Sequence, residues 1–328
     1  MNKKFRTELT PKRSDFEIDL ARKIFSAGSC FADNIAERLR RSKFVVEGNP
    51  FGVMFNPASI AGMLTDLAEG RRYKAKDLAT DGDLSFGWKF HGDFSDQDAA
   101  MVLARMNDAV VRGRNVLLAA DCVILTFGSA WVYELADGGD VVANCHKRPA
   151  SMFRRRRLSV EEIVKMYEPL LGEGGVLNGK RVILTVSPVR HLKDGFEENS
   201  LSKAILRVAV GELCDRWESV EYFPAFEMVT DDLRDYRFYA EDMAHPSELA
   251  VDYVWDKFCL TYMSEATMEF ISRVEKVRAA MQHRLLHPES EAAAKFRASQ
   301  YEGVKQLATE YPDVDFDDEL HYFAPIID

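Results

Sequence analysis

No hydrophobic stretch in this chain approaches the roughly 20 residues that a bilayer-spanning helix requires. The opening Met1-Asn2-Lys3-Lys4-Phe5-Arg6 runs into Thr7-Glu8-Leu9-Thr10-Pro11 without the apolar centre of a secretory leader, so the expected location is the cytoplasm. Cysteine is sparse. Cys30, Cys122, Cys145, Cys214 and Cys259 lie far apart with no C-x-x-C pair, which excludes the disulfide framework of small secreted domains and reads as reduced thiols. No His, Asp or Glu pair stands at a metal-ligand spacing such as H-E-x-x-H, so no metal site is expected. A phosphate-cradling G-x-x-x-x-G-K-S/T loop is also missing, since Gly172-Glu173-Gly174-Gly175 follows a helical pattern and reads as a helix end; no cofactor is expected. Positive charge is in deficit. With 43 Lys and Arg against 53 Asp and Glu the net charge is -10, which argues against a general nucleic-acid binder. The one basic run, Arg154-Arg155-Arg156-Arg157, reads as a solvated charged face beside a loop, with the capture of an anionic substrate group as its functional alternative.

What is present is an alternating α/β pattern. Lys23 to Ala27 leads into Gly28, Asp121 to Phe127 into Gly128, and Arg181 to Val186 into Ser187-Pro188. Such continuous apolar runs suit strands buried on both faces of a parallel sheet. A fourth run, Val220 to Val229, contains Pro224, which demotes its middle or marks a strand end. Phe31, Ile35 and Leu39 recur at helical spacing after the first strand, and Ser159 with Glu162 has capping-box spacing ahead of Ile163, Met166 and Leu170. From His245-Pro246 onward the chain reads as helix almost without a break. Its last residues, 313–328, mix acidic groups with Phe316, Tyr322 and Phe323, as a tail docking on its own domain or on a partner would. The expected organisation is a catalytic α/β domain over residues 1–262 and a helical extension with an acidic tail over 263–328, whose helices offer a surface for a homo-oligomer.

Ser29, directly after a buried strand and at the start of a helix, would sit at the carboxyl edge of the sheet, where open α/β folds place ligands. The free N–H groups and dipole of that helix would face an incoming oxyanion. A serine nucleophile needs a base, and imidazole is the usual one. Of seven histidines, His245 stands out in Glu241-Asp242-Met243-Ala244-His245-Pro246-Ser247, with an aspartate three residues earlier and a proline suited to a first helical position just after it. Asp242 can then accept from the second ring nitrogen, as the acidic member of a Ser-His-Asp set does. Cys30 adjoins Ser29, but neighbouring side chains at a turn point in different directions, and a free cysteine more often packs than reacts. His146, after the second strand in Cys145-His146, and His191, after the third in Ser187-Pro188-Val189-Arg190-His191, are expected to contact substrate; His91 is a weaker candidate.

Gly28-Ser29-Cys30-Phe31-Ala32 resembles the signature that names the GSCFA family, bacterial proteins similar to distant SGNH (GDSL-type) hydrolases. Also similar to the family's pattern are Asn49-Pro50-Phe51-Gly52-Val53-Met54-Phe55-Asn56-Pro57, Thr126-Phe127-Gly128-Ser129-Ala130-Trp131-Val132-Tyr133, Ala143-Asn144-Cys145-His146-Lys147, Ser187-Pro188-Val189-Arg190-His191, Asn199-Ser200-Leu201-Ser202-Lys203 and Ala244-His245-Pro246-Ser247. These blocks cover residues 20 to 262 or so, in order. The resemblance implies a flavodoxin-like three-layer α/β/α fold, with Ser29 in the first block and Asp242 and His245 in the last. It also implies an oxyanion hole made by the Ser29 N–H, the Gly52 N–H and an asparagine side chain. The sequence departs from the wider superfamily there: Gly128-Ser129-Ala130 has no asparagine, and Asn144 downstream is the substitute. The expected function is ester hydrolysis through an acyl-serine intermediate, on an acyl ester, such as an acetyl ester, of a carbohydrate or other small molecule. The alternatives are an O-acyltransferase with the same site or a non-catalytic carbohydrate-binding protein of the same fold.

Overall fold

In the computed structural model, which describes residues 6–324, the first apolar run becomes strand β1 (Lys23–Gly28), followed by helix α1 (Cys30–Arg41) and strand β2 (Val45–Gly48). Helix α2 (Pro57–Glu69), a small hairpin of β3 (Ala79–Asp81) and β4 (Leu84–Phe86), and the long α3 (Ala99–Ala119) lead to β5 (Cys122–Phe127). Then come β6 (Trp131–Leu135), β7 (Val141–Val142), β8 (Phe153–Arg157), α4 (Val160–Leu171), β9 (Arg181–Val186), α5 (Gly195–Arg216) and β10 (Val220–Tyr222). The chain finishes with the single turn α6 (Ala225–Glu227) and the helices α7 (Glu248–Tyr262), α8 (Glu265–Gln282), α9 (Glu291–Glu310) and α10 (Asp317–Phe323).

The main sheet is parallel throughout, in the order β10-β9-β5-β1-β2. Side chains alternate across it because the strand repeat is two residues. Phe25, Ala27, Val123, Leu125, Val182 and Leu184 face a core shared with α2 to α5, whereas Ile24, Cys122, Ile124 and Ile183 face α1 and α7. This is the three-layer α/β/α arrangement with a helical appendage. Full burial of each such side chain contributes about 1.5–3 kcal/mol, so two cores of this size fix the sheet as a rigid platform. The C-terminal helices join the second core rather than forming one of their own: Phe270 and Val274 of α8, Val304 and Leu307 of α9 and Phe323 of α10 pack with Phe31, Ile35, Val254 and Phe258. A Lys43 Nζ to Glu319 ion pair of 2.7 Å adds a polar tie between α10 and the turn after α1. No helix among the described residues is long and apolar enough to cross a membrane.

Several local expectations hold and others are corrected. The capping box at α4 forms in both directions, with Glu162 N–H donating to Ser159 Oγ at 3.1 Å and Ser159 N–H to Glu162 Oε2 at 2.7 Å, and Gly172 ends the helix. The fourth run stops as strand before Pro224; residues from Ala225 to Leu233 coil into helical turns instead. Pro246 does not begin α7. Ser247 is its N-cap and Glu248 its first residue, because Pro246 is held in an antiparallel bridge with Tyr239. The four arginines are not a solvated face beside a loop but strand β8 of a second, antiparallel sheet ordered β7-β6-β8. Strand alternation splits them into two pairs. Arg154 and Arg156 both bond the buried Glu134, whereas Arg155 and Arg157 sit opposite Tyr133 and Trp131 and bond Asp194 and Glu198.

Candidate active site

In the order β10-β9-β5-β1-β2 the chain moves outward from β1 in opposite directions, to β2 on one side and to β5 and beyond on the other. The crevice beyond the carboxyl ends of β1 and β5 is therefore the topological switch point, the usual ligand position in open α/β sheets. Ser29 directly follows β1 there and is the N-cap of α1, its Oγ accepting from the Phe31 N–H at 3.3 Å. It is 1% exposed, and its own N–H donates to Thr126 O at 3.2 Å in the parallel ladder. Gly28, at φ +143°, turns the chain into this cap, and its N–H donates to Asn49 Oδ1 at 2.7 Å. The Asn49 amide in turn donates to Asp33 Oδ1 at 2.6 Å; burial raises the Asp33 carboxyl, and this bond acts against that rise.

Asp242 and His245 meet on the loop before α7. The Ala244 and His245 N–H groups both donate to Asp242 Oδ1 at 2.9 Å, and His245 Nδ1 lies 2.5 Å from Oδ2. Those backbone N–H groups, and then the imidazole, pull the Asp242 carboxyl down to about 2. A carboxylate only accepts, so Nδ1 carries the proton and Nε2 is left as the free nitrogen. Main-chain bonds fix the loop: Arg190 N–H donates to Ala244 O at 3.1 Å and Ala240 N–H to His245 O at 2.7 Å. The His245 side chain is half exposed, and no hydrogen bond joins it to Ser29 among the described residues.

At the same strand ends lies a polar knot that the sequence did not reveal. Lys203 on α5, 2% exposed, donates through Nζ to Gly128 O and Ser187 O, each at 2.6 Å, and so ties together the carboxyl ends of β5 and β9. Burial pushes its ammonium down to about 7. The signal was in the helix period, since Lys203 falls in the apolar stripe with Leu206, Val210 and Leu213. His191 shares this carbonyl, its Nε2 lying 3.1 Å from Gly128 O. A carbonyl only accepts, so Nε2 is the protonated nitrogen and Nδ1 the free one. Burial, and then the nearby Lys203, push His191 down to about 4. Imidazole NMR is therefore expected to show His191 neutral, with the proton on Nε2, from pH 8 down to about pH 5; protonation near pH 6.5 would contradict that placement.

A pocket of about 290 Å³ opens beside Gly128, walled by Phe55, Asn56, Ser129, Trp131, Tyr133, Asn144, Arg155, His191 and Lys193 among others. The segment bearing Phe55 crosses the strand ends, with Phe55 O accepting from the Gly128 and Ser129 N–H groups at 2.8 and 2.7 Å. His191 and Asn144 thus line the pocket. His146 does not: its ring stacks on Phe86 at 4.1 Å and its Nε2 bonds Gly87 O at 3.2 Å, which makes it part of an aromatic nest. The Gly52 N–H is committed to a turn, donating to Asn49 O at 2.7 Å, and the residue is glycine because a Cβ there would lie 2.3 Å from the Cβ of His91. Asn144 Oδ1 accepts from the His146 N–H at 2.7 Å. Asn56, to which the sequence assigned no role, caps α2 through Oδ1 at 2.8 Å, so its Nδ2 amide is the donor it has left for a pocket ligand. Burial, then Asp33, raise the Cys30 thiol, and burial raises Cys145, the opposite of what a thiolate nucleophile needs. Among the described residues, no group of three or more His, Cys, Asp and Glu side chains is placed to hold a metal ion.

A family model described as GSCFA family matches residues 23–258, and a second, described as GSCFA domain protein, C-terminal domain, matches residues 274–325. No curated protein matches the chain.

Proposed function

The chain belongs to the GSCFA family, and from that premise we propose that it is a serine ester hydrolase working through an acyl-serine intermediate on an acyl ester of a carbohydrate or other small molecule. The observation that carries this reading is the Asp242–His245 pair, pinned by the Arg190 to Ala244 bond at the same sheet edge that ends in Ser29. In the reaction Ser29 Oγ attacks the ester carbonyl and its proton passes to His245 Nε2, while Asp242 holds Nδ1–H. The proton then returns to the leaving alcohol, and water, activated by the same imidazole, releases the acid from Ser29. Attack requires Ser29 Oγ to release the Phe31 N–H, a cap bond worth about 1 kcal/mol, and His245 to close on it. The side-chain donor assigned to the oxyanion is the Asn144 amide, which lines the pocket beside Gly128.

A second reading, a carbohydrate-binding protein that keeps the hydrolase shape, draws on the Ser29 and Gly52 N–H groups being committed to Thr126 O and Asn49 O. An active-site-directed fluorophosphonate separates the two. Covalent labelling of Ser29, lost in His245→Ala, is the expected result. Absence of labelling, with no turnover of small acetyl and butyryl esters, would favour the binding protein. Loss of an acyl donor that speeds up when a sugar acceptor is added would instead indicate acyl transfer.

A further inference from the structure

The pocket beside Gly128 has a chemistry that the hydrolytic machinery does not use. Antiparallel register places Trp131 opposite Arg157 and Tyr133 opposite Arg155, so all four side chains share one face of the small sheet. Arg155 stacks over Trp131 at 3.9 Å and is held by both carboxylate oxygens of Asp194, while Arg157 bonds Glu198 at 2.7 Å. Both guanidinium charges are thereby matched. Lys193 is not: its Nζ lies 3.4 Å from Tyr133 Oη and 5.8 Å from that ring's centre, and among the described residues it has no carboxylate within ion-pair distance. One unmatched positive charge therefore lines this pocket in a chain of net charge -10. Two further donors, Trp131 Nε1 and Arg155 Nε, are buried without a hydrogen-bond partner. A buried donor left unpaired costs about 1–3 kcal/mol, so this wall of the pocket carries unmet demand for acceptors, which a small side-chain shift would bring to an oxygen-rich ligand.

The geometry points to this pocket as the binding site for a single sugar ring bearing one carboxylate, a hexuronic acid, with Lys193 as the counter-ion of that carboxylate. Aromatic walls at Phe55, Trp131 and Tyr133 suit the apolar faces of a sugar, and the Asn56 amide suits a hydroxyl. The volume of about 290 Å³ is at the lower end of small-molecule sites and matches one ring. The charge match calls for one carboxylate. That this ring is the leaving alcohol rests on the hydrolase reading above, since a Cβ on Gly128 would stand 3.3 Å from the Cβ of Ser29; that the ring binds does not.

Calorimetric titration of the wild-type chain with galacturonate and with galactose tests the inference without any turnover. Galacturonate is expected to bind at least tenfold more tightly than galactose, and to weaken as salt is raised. Lys193→Ala is expected to abolish that preference, and Lys193→Arg to retain it; Lys193 is exposed, so neither change threatens the fold. Equal binding of the two sugars, galacturonate binding unchanged in Lys193→Ala, or no binding at millimolar sugar would each overturn it. Competition by acetate or phosphate as strong as by galacturonate would also overturn it, by reducing the site to a simple anion contact. Fluorophosphonate labelling of Ser29 is read separately, so either conclusion can fail while the other stands.

Discussion

Gly28→Ala is expected to be strongly destabilising. At φ +143° an L side chain is strained, and a Cβ built there stands 2.2 Å from Thr126 O and 2.8 Å from its carbonyl carbon. The obstacle is backbone in the neighbouring strand, not the end of a flexible side chain. β1 and β5 must therefore separate or Gly28 must leave its conformation. Either response breaks the Gly28 N–H to Asn49 Oδ1 bond or the Ser29 N–H to Thr126 O bond. Backbone strain of about 1–3 kcal/mol together with a lost buried hydrogen bond at about 1–3 kcal/mol gives a loss of about 2–6 kcal/mol. Against a typical stability of about 5–15 kcal/mol, this removes a large share of what holds the chain folded. Urea denaturation measures it, with Gly138→Ala as the control, since nothing lies within 4 Å of a Cβ at Gly138. A Gly28→Ala chain within about 0.5 kcal/mol of wild type, the range of ordinary surface changes, would show that the strand edge is looser than described.

That glycine also shows why some of the architecture could be read from the sequence and some could not. β1, β5 and β9 announce themselves as apolar runs because both faces of a parallel strand are buried, and the turn residues behind them, Gly28, Gly128 and Ser187, mark one edge. Of the two edge strands, β10 showed as the start of the fourth run, cut short by Pro224, whereas the four residues of β2 carry too little apolar signal to stand out. β8 was hidden for another reason. Its arginines look solvated in sequence, and become strand only because Glu134, Asp194 and Glu198, each more than 19 residues away or on another element, supply their counter-charges. The contact between Asp242 and His245 was legible because they are three residues apart on one loop. Gly52 illustrates the opposite limit: its motif suggested a free N–H, and whether an N–H is free depends on a turn partner, here Asn49 O, that spacing does not reveal. Asn56 was obscured by its own helix cap. Lys203 was visible in the helix period, but the reason for a lysine in an apolar stripe lies in two carbonyls on two other strands.

The cation at Lys203 should also leave a signature in the pH dependence of stability. Methionine matches the length and flexibility of its stem, so Lys203→Met removes the donors and the charge with little change in volume. Ser187 O then loses its Lys203 bond, whereas Gly128 O keeps His191. At neutral pH the loss of these donors is opposed by relief from burying a charge, because the folded-state ammonium is pushed down from 10.5 to about 7. Below pH 7 the proton is bound in both folded and unfolded chains, and the lysine contributes no pH dependence. Between about pH 7 and 10.5 the unfolded chain still binds the proton and the folded chain has released it, so stability rises with pH. The neutral amine keeps two N–H donors, one for each carbonyl, and the knot survives deprotonation. Wild type should therefore gain on Lys203→Met with a slope approaching about 1.4 kcal/mol per pH unit in that window. Chemical denaturation of both chains at pH 6.5, 7.5, 8.5 and 9.5 measures the difference, in which titrations common to the two cancel. Parallel stability curves would mean that Lys203 stays protonated in the fold up to its ordinary range, with the two carbonyls and not burial deciding its charge.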